Sequence, residues 1–252
     1  MTESHLHRCQ TGTVNDAPRV GTVHDIAELA AFYSEPPQGV RVNMIFSADG
    51  AATFGGRAGP LSSETDQQLL KILRGFADVV LVGAATARAE DYGPVRLTET
   101  QLAQRHRNGR VKPPPIAVIS RTGELPTGLV SNPDQPPLLV TCGQSPARHD
   151  VVGDQRCGVL VAGEGSVDVV RAIALLRSHG LSRVLCEGGP TLLDELVNAD
   201  AVDEICVTLA PKLVAHQPAG LRRRPSPLSM PTMLRLEHAL TYQDYVFLKY
   251  CR

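Results

Sequence analysis

Two glycine-containing segments are the first candidates for chemistry, because each follows an apolar run and precedes a helical pattern. The first is 83–86 (GAAT), after the run 78–83, and the second is 187–191 (EGGPT), after the run 183–186. Glycine lets a ligand approach the backbone closely, and a helix N-terminus offers unpaired N–H groups and a partial positive charge. Such helix ends bind phosphate. One such turn is usually explained by tight packing; with two, a phosphate-bearing ligand is an equally good explanation.

Other kinds of catalytic machinery leave no trace in the sequence. There is no GxSxG or HExxH motif, the eight histidines have no partnered spacing, and the six cysteines form no CxxC pair. The segment 163–168 (GEGSVD) half-matches a dinucleotide fingerprint but lacks the third glycine, so a loop that caps a helix through Ser166 is the better interpretation. We expect no metal, and Cys157, Cys186 and Cys206 should be small buried hydrophobes. An enzyme with this sequence would depend on an organic cofactor.

Composition excludes several classes of protein. The 252 residues are 42% hydrophobic and 20% charged with a net charge of −1, which argues for a folded core and against a generic nucleic-acid binder. Tryptophan is absent and aromatic residues make up 4%, so a base-stacking surface is not expected. The apolar runs are strand-sized and the first residues show no secretory signal. We therefore expect a cytoplasmic protein without a membrane span.

The pattern of elements predicts an α/β fold. Short apolar runs alternate with helical patterns from residue 40 to 209, which indicates a mostly parallel sheet, and the tail 232–250 is typical of an antiparallel hairpin. We expect an N-terminal extension, 1–37, with a short helix at 25–33, and a main domain, 38–252. The Pro-, Gly- and Arg-rich stretches 93–115 and 211–231 are predicted as long surface loops. In such sheets ligands lie beyond the carboxyl ends of the strands, so both glycine turns should face one crevice.

Five strings, taken together, resemble the pyrimidine reductase family of riboflavin biosynthesis. They lie at 42–52 (VNMIFSADGAA), 62–94, 118–121 (VISR), 184–196 (VLCEGGPTLLDEL) and 202–214. The resemblance covers about residues 38–250. It implies a dihydrofolate-reductase-like three-layer sandwich, with helices on both faces of the sheet, and a homodimer. It also implies NADPH-dependent hydride transfer to a C=N-type heterocyclic substrate, as in 5-amino-6-(5-phosphoribosylamino)uracil reductase.

The resemblance also implies which residues hold the cofactor. The strand near Ile45 and Phe46 would pair with the nicotinamide carboxamide, and Ser120 with Arg121 would hold the adenosine 2′-phosphate. A hydroxyl and a guanidinium suit a dianionic phosphate. The other positions carried over are the Gly-x-x-Thr motif, the acidic pair that follows it and the pyrophosphate loop: Gly83, Thr86, Glu90, Asp91, Gly188, Gly189, Pro190, Thr191 and Leu192.

On the substrate side the resemblance implies contacts from Arg74, Glu187 and Arg96. Glu187 ends an apolar strand, where an unpaired carboxylate is costly, so it should have a partner or a function. Glu187 and Asp49 are the candidates for ordering substrate or water. Arg74 is equally explained as a cation at a helix C-terminus, and Asp49 as the turn residue of Ala48-Asp49-Gly50.

Departures from the family pattern leave the substrate open. Ala58 and Pro60 stand where the family has a serine that contacts the ribosyl phosphate and an arginine or tryptophan. Asp66, on the first helix, could orient a pterin, as an acid does in dihydrofolate reductases, or it could be an ordinary exposed first-turn acid like Glu64. An NADPH-binding sensor without catalysis is the alternative of another class. The run 222–224 (RRR) is interpreted as a solvated loop, or else as a phosphate contact.

Overall fold

One ten-stranded sheet organises the part of the chain that the computed structural model describes, residues 17–36, 38–146, 157–215 and 228–252. The strand order is β1-β9-β10-β8-β2-β7-β3-β4-β5-β6, and within this sheet β10 alone runs against the other strands. The strands are β1 (Arg19–Thr22), β2 (Gly39–Ser47), β3 (Val79–Gly83), β4 (Ile116–Ile119), β5 (Leu138–Thr141), β6 (Gly158–Val161), β7 (Arg183–Cys186), β8 (Glu204–Ala210), β9 (Arg235–Tyr242) and β10 (Tyr245–Cys251). The mostly parallel sheet and the C-terminal antiparallel hairpin are both confirmed.

Six helices accompany the sheet in the described ranges. They are α1 (Ile26–Ala31), α2 (Glu64–Phe76), α3 (Ala84–Ala89), α4 (Glu99–Arg107), α5 (Val169–Ser178) and α6 (Pro190–Asn198). Four of these six begin at a residue whose side chain accepts a backbone N–H, namely Asp25, Ser63, Thr98 and Asp168. The other two, α3 and α6, begin at Gly83 and Gly189 and have no side-chain cap.

Two hydrophobic cores, one on each face of the sheet, produce the three layers. Alternate residues of β3 divide between them: Val80 and Val82 pack with α1, α2 and α3, whereas Val79 and Leu81 pack with α5 and α6. Val79 to Val82 are all fully buried, as expected for a strand covered on both faces. The three-layer sandwich of the dihydrofolate-reductase type is therefore confirmed.

Residues 17–36 belong to the same sheet and core. The short helix begins after Asp25 as predicted, and Leu29 on it is completely buried against the core of α2. Strand β1, which the sequence analysis missed, pairs in parallel with β9. Its four residues are all exposed, so they carry no pattern of burial that could have revealed them.

Three local expectations were wrong. The stretch 93–115 contains helix α4, which starts with a capping box between Thr98 and Gln101, rather than loop alone. Helix α5 is capped by Asp168, which accepts the N–H groups of Val170 and Arg171, and not by Ser166. Cys157 is only half-buried, whereas Cys186 and Cys206 are buried as predicted.

Candidate functional site

The two glycine turns lie side by side, because β3 and β7 are parallel neighbours in the sheet. The amide of Gly83 donates to the carbonyl oxygen of Gly188 at 2.9 Å. A Cβ atom on Gly189 would overlap Oγ1 of Thr86, so the two helix-opening turns are in van der Waals contact. Gly188 has φ +78°, a left-handed conformation that favours glycine, and the Gly188–Gly189 peptide is cis. The two turns are therefore adjacent at one edge of the sheet, but the Gly83 amide is bonded within the protein.

The starts of α3 and α6 retain unpaired backbone donors. Neither helix has a side-chain cap or an acidic residue in its first turn, and α6 has Pro190 at its first position as predicted. No acceptor within the described residues takes the amides of Thr191 and Leu192. These N–H groups, with the partial positive charge of the helix end, form a site that suits an anion.

Strand β2 also has an open backbone edge in this region. It pairs with β7 only up to Val42, whereas its pairing with β8 continues to Ser47. After Cys186 the chain retains only its pairing with β3, through the amide of Glu187 and the carbonyl of Leu81. The edge of β2 that carries Ile45 and Phe46 therefore has no strand partner on the β7 side in the described sheet.

A hydroxyl-rich corner lies at the carboxyl ends of β4 and β5. Ser120 is buried, and its Oγ accepts the amide of Gly123 at 2.9 Å. Arg121 beside it is exposed and forms no ion pair with any described residue. The hydroxyls of Thr141 and Ser145, which the sequence analysis missed, are buried without a hydrogen-bond partner among the described residues. Thr141 is the last residue of β5 and Ser145 lies four residues beyond it, so the signal was a hydroxyl residue at or shortly after the end of an apolar strand.

Glu187 is the centre of a buried ion-pair cluster. Arg74, in the last turn of α2, donates Nε and Nη2 to the two carboxylate oxygens of Glu187 at 2.7 Å each. The hydroxyl of Tyr92 donates to Oε2 of Glu187 at 2.6 Å, and burial together with Glu187 raises the pKa of this phenol well above its usual value. The expectation that Glu187 has a partner is confirmed, and Tyr92 is a member that sequence reasoning missed.

Asp66 is not the exposed first-turn acid that one interpretation expected. The residue is only 8% exposed, and the Ser62 hydroxyl donates to its carboxylate at 2.6 Å. Burial raises the pKa of this carboxyl, although hydrogen bonds from Ser62 and Thr208 and the charge of Lys212 oppose the shift. The neighbouring acid Glu64 is exposed, so the two acids of this turn differ in environment.

Two further predicted acids, Asp49 and Glu90, accept hydrogen bonds from loop residues near the site. Asp49 is exposed and accepts Oγ of Ser47 at 2.5 Å and the amide of Val214 at 3.2 Å, which agrees with its interpretation as a turn residue. The hydrogen bond from Ser47 is the main cause that lowers its pKa. Glu90 accepts the amide of Ala58 and lies 3.7 Å from the Arg57 guanidinium.

Two predicted site residues, Asp91 and Arg96, lie on the surface, and a third predicted element, the run 222–224, is not among the described residues. Asp91 follows α3, is exposed and has φ +50°. Arg96 is exposed and forms no ion pair or side-chain hydrogen bond with the other described site residues. In the described ranges no group of three or more His, Cys, Asp or Glu side chains could hold a metal ion. The helices described there are all too short or too polar to cross a membrane.

Comparison with known proteins gives one consistent relationship. The model of the RibD C-terminal domain matches residues 38–248. The 2,5-diamino-6-ribosylamino-4(3H)-pyrimidinone 5′-phosphate reductase of Methanothermobacter thermautotrophicus is 27% identical over 180 residues, which cover 71% of this chain and 81% of that protein. The riboflavin biosynthesis protein RibD of Escherichia coli is 27% identical over 189 residues, which cover 72% of this chain and 50% of that protein.

A solved structure supports the same relationship. The pyrimidine reductase-like protein of Corynebacterium diphtheriae superposes with a TM-score of 0.75 at 30% identity, covering 85% of this chain and 91% of that one. The curated relatives are named as reductases, consistent with an oxidoreductase. This chain therefore belongs to the RibD C-terminal domain family, the pyrimidine reductases of riboflavin biosynthesis.

Proposed function

We propose that this protein is an NADPH-dependent reductase that transfers a hydride to a ribosylaminopyrimidine 5′-phosphate in riboflavin biosynthesis. The observation that carries the proposal is the pair of joined helix starts at Gly83 and Gly189, which lack side-chain caps, whereas the other four described helices have them. Such ends are stable only if water or an anionic ligand satisfies their amides. The substrate class comes from the relatives, which are named as 2,5-diamino-6-ribosylamino-4(3H)-pyrimidinone 5′-phosphate reductases.

The described residues fit NADPH at each of its polar parts. The amides of Thr191 and Leu192 suit the pyrophosphate, with Gly83, Thr86 and 188–190 shaping the cradle. The exposed Arg121 beside Ser120 suits the 2′-phosphate that distinguishes NADPH from NADH. The open edge of β2 at Ile45 and Phe46 suits the nicotinamide carboxamide. When bound there, NADPH supplies the hydride.

The side chains of the protein then contribute mainly by positioning the glycine turn, the cofactor and the substrate. Arg74 and Tyr92 fix Glu187, and the chain continues directly from Glu187 into the glycine turn, so this cluster holds the turn against α2. Asp49 orders water or substrate at the exposed end of β2. Reduction of a C=N bond places hydride on carbon and a proton on nitrogen, and the proton comes from water or a nearby acid.

The proposal is tested by following NADPH absorbance with the purified chain and a panel of substrates. We expect oxidation with the ribosylaminopyrimidine 5′-phosphate that depends on both protein and substrate. Tight NADPH binding without oxidation by any imine, dihydropterin or ribosylaminopyrimidine would instead support the non-catalytic sensor. No binding at all would contradict both.

A second candidate function is reduction of a dihydropterin. The observation in its favour is the burial of Asp66 beside Thr208 on β8, because a buried carboxylate can orient an amino-substituted ring. We expect Asp66→Asn to lower any dihydrofolate-dependent oxidation of NADPH by at least about tenfold. Glu64→Gln, a change in the exposed acid of the same turn, should leave it unchanged. Unaltered pterin reduction in Asp66→Asn would exclude this role.

We also propose a homodimer in the cytoplasm. Alternate residues of β8 and β10 form a half-exposed apolar face: Ile205, Val207, Leu209, Val246 and Leu248. Ile205 packs against the core on the side of α5 and α6, whereas the other four belong to neither described core. A second copy would bury this face. Light scattering should give the mass of a dimer, and Leu248→Glu should give a monomer, whereas Val20→Glu on the exposed edge strand should not. A monomeric wild-type protein would contradict this arrangement.

A further inference from the structure

A polar cleft opens at the amino end of the sheet, away from the glycine turns. It lies where the neighbouring strands β2, β7 and β3 begin, and its volume is about 450 Å³. Asp78 directly precedes β3 and Arg183 is the first residue of β7, whereas the glycine turns follow the other ends of the same two strands. The five residues of β3 span roughly 16 Å. A ligand in this cleft would therefore not touch the proposed cofactor cradle.

The segment that precedes β2 forms one wall of the cleft. Glu35 and Gln38 line it, and Glu35 lies outside the region 38–248 that matches the RibD C-terminal domain. The Glu35 carboxylate accepts hydrogen bonds from Arg110 and from Nδ2 of Asn108, the latter at 2.6 Å. It also lies 3.3 Å from Nε of Arg183. The N-terminal segment and the main domain therefore build the cleft together.

The acids of the cleft already have donors at every carboxylate oxygen. Oδ1 of Asp78 accepts Nη1 of Arg110 at 3.1 Å. Oδ2 of Asp78 accepts the amides of Ser182 and Arg183 at 3.2 Å and 2.8 Å. Both oxygens of Glu35 are occupied by the contacts given above. These carboxylates therefore have little capacity left for a cation or for a ligand rich in donors.

Donors, in contrast, remain available in the cleft. The side chain of Arg183 is 30% exposed, and its Nη2 meets no hydrogen-bond acceptor among the described residues. The side-chain amide of Gln38 and the hydroxyl of Ser182 also line the cleft, and neither is hydrogen-bonded to another side chain or carbonyl in the described ranges. These three groups can all donate to a ligand that is rich in acceptors.

Positive charge is in excess around the cleft. Arg105 is 4% exposed, and both it and Arg110 donate to backbone carbonyls at the end of α2. Burial, reinforced by the charge of Arg110, lowers the pKa of Arg105 to about 10, although Asp78 and Glu35 oppose the shift. With Arg183, three guanidinium groups are thus set against two carboxylates. An anion would balance this charge.

We propose that the cleft binds a small phosphomonoester of about the size of a sugar phosphate. The oxygens of a phosphate accept several hydrogen bonds at once, which matches the free side of the Arg183 guanidinium together with Gln38 and Ser182. A volume of about 450 Å³ lies within the usual range of small-molecule sites and leaves room beyond the phosphate for a pentose. The bound ligand would join the start of β7 to the segment before β2.

The test is a titration of the full chain with ribose 5-phosphate in the presence of excess NADPH, followed by NMR of the backbone amides. Excess cofactor keeps the probe out of the proposed cradle. We expect the amides of Gly180 and Ser182, which line the cleft, to shift with a Kd of about 1 mM or below. Inorganic phosphate should shift the same amides at higher concentration, and ribose without phosphate should not. This readout requires no turnover, so it is independent of the proposed function.

Variants of the lining residues identify the site. Arg183→Gln should weaken the binding of ribose 5-phosphate by at least about tenfold, because it removes the guanidinium. Gln38→Ala breaks no hydrogen bond of the described structure, so it keeps the test valid if Arg183→Gln fails to fold, and it should weaken binding about threefold. Arg171→Gln, in the exposed first turn of α5, is the matched control and should bind as wild type does. No amide shifts, shifts confined to the turn at Gly189, or equal affinities in Gln38→Ala and Arg171→Gln would overturn the proposal.

Discussion

The amide of Gly83 donates a hydrogen bond to the carbonyl oxygen of Gly188, at 2.9 Å. This one bond joins the turn after β3 to the turn after β7, although the residues are 105 positions apart in the sequence. Because each turn opens a helix that lacks a side-chain cap, the bond sets the relative position of two helix starts. The proposed cofactor cradle therefore depends on both turns together.

Replacing Gly189 tests this coupling. In Gly189→Ala the new methyl group would overlap Oγ1 of Thr86, so either the Thr86 hydroxyl or the turn itself must shift at the proposed cradle. We expect the Kd for NADPH, measured by calorimetry, to rise by roughly tenfold or more. Gly21→Ala on the exposed strand β1, where a Cβ meets no atom within 4 Å, is the control. An unchanged Kd in a folded Gly189→Ala protein would show that the contact between the turns is not needed.

The ion pair of Glu187 should contribute strongly to stability. Its side chain is 3% exposed and that of Arg74 is 18% exposed, so Glu187→Gln leaves a largely buried guanidinium without its counter-charge. We expect the free energy of unfolding in denaturant to fall by about 2–3 kcal/mol. The exposed Glu64→Gln should change it by less than about 0.5 kcal/mol. Similar values for both variants would mean that Glu187 does not hold this cluster together.

The start of helix α5 permits a paired test of its cap. Asp168 accepts the amides of Val170 at 2.9 Å and Arg171 at 3.1 Å, whereas Ser166 lies in the preceding loop. Asp168→Ala should lower the free energy of unfolding by about 1 kcal/mol. Ser166→Ala should have little effect in the same thermal or denaturant unfolding experiment. A larger loss of stability in Ser166→Ala than in Asp168→Ala would show that Ser166 is the helix cap.

His238 should make the protein sensitive to mild acid. It is 3% exposed, between the rings of Phe32 and Tyr33, and burial, assisted by Lys249, lowers its pKa from 6.5 to about 4. Below pH 6.5 the unfolded chain binds a proton that the folded protein does not, so stability should decline as the pH falls from 6.5 to about 4. The total loss from this group is of the order of 3 kcal/mol.

The matched variants for this pH dependence are His238→Gln and His106→Gln. His106 is exposed on α4. Unfolding free energies measured across this pH range should show a flatter profile for His238→Gln, whereas His106→Gln should retain the wild-type slope. An identical slope in all three proteins would show that His238 titrates normally in the folded state.

Much of the fold was predictable because local patterns determine it. The apolar run ending at Gly83 and the helix opening at Pro190 both follow from composition and capping rules, and both are observed. Helix α4 had a local signal too, since Thr98 and Gln101 have the spacing of a capping box, but the Pro- and Arg-rich surroundings suggested a loop. The exposed strand β1 has no such signal, because its pairing with β9 is a long-range contact.

The candidate site was predictable in position but not in its partners. A carboxylate at the end of an apolar strand must be paired, so the need of Glu187 for a cation could be inferred from the sequence alone. The contribution of Tyr92 could not, because it depends on how the loop after α3 returns to the sheet. The buried environment of Asp66 includes Thr208 and Lys212, more than 140 residues later, and no local pattern encodes that proximity.

The most direct test of the central claim is transfer of deuterium from NADPH labelled at C4 of the nicotinamide. The protein is mixed with the labelled cofactor and the 2,5-diamino-6-ribosylamino-4(3H)-pyrimidinone 5′-phosphate, and the product is examined by mass spectrometry. The account predicts a reduced product that carries one deuterium on carbon when the label is on the transferred face. A product that contains no deuterium with either face labelled, or no reduced product from any heterocycle tested, would contradict it.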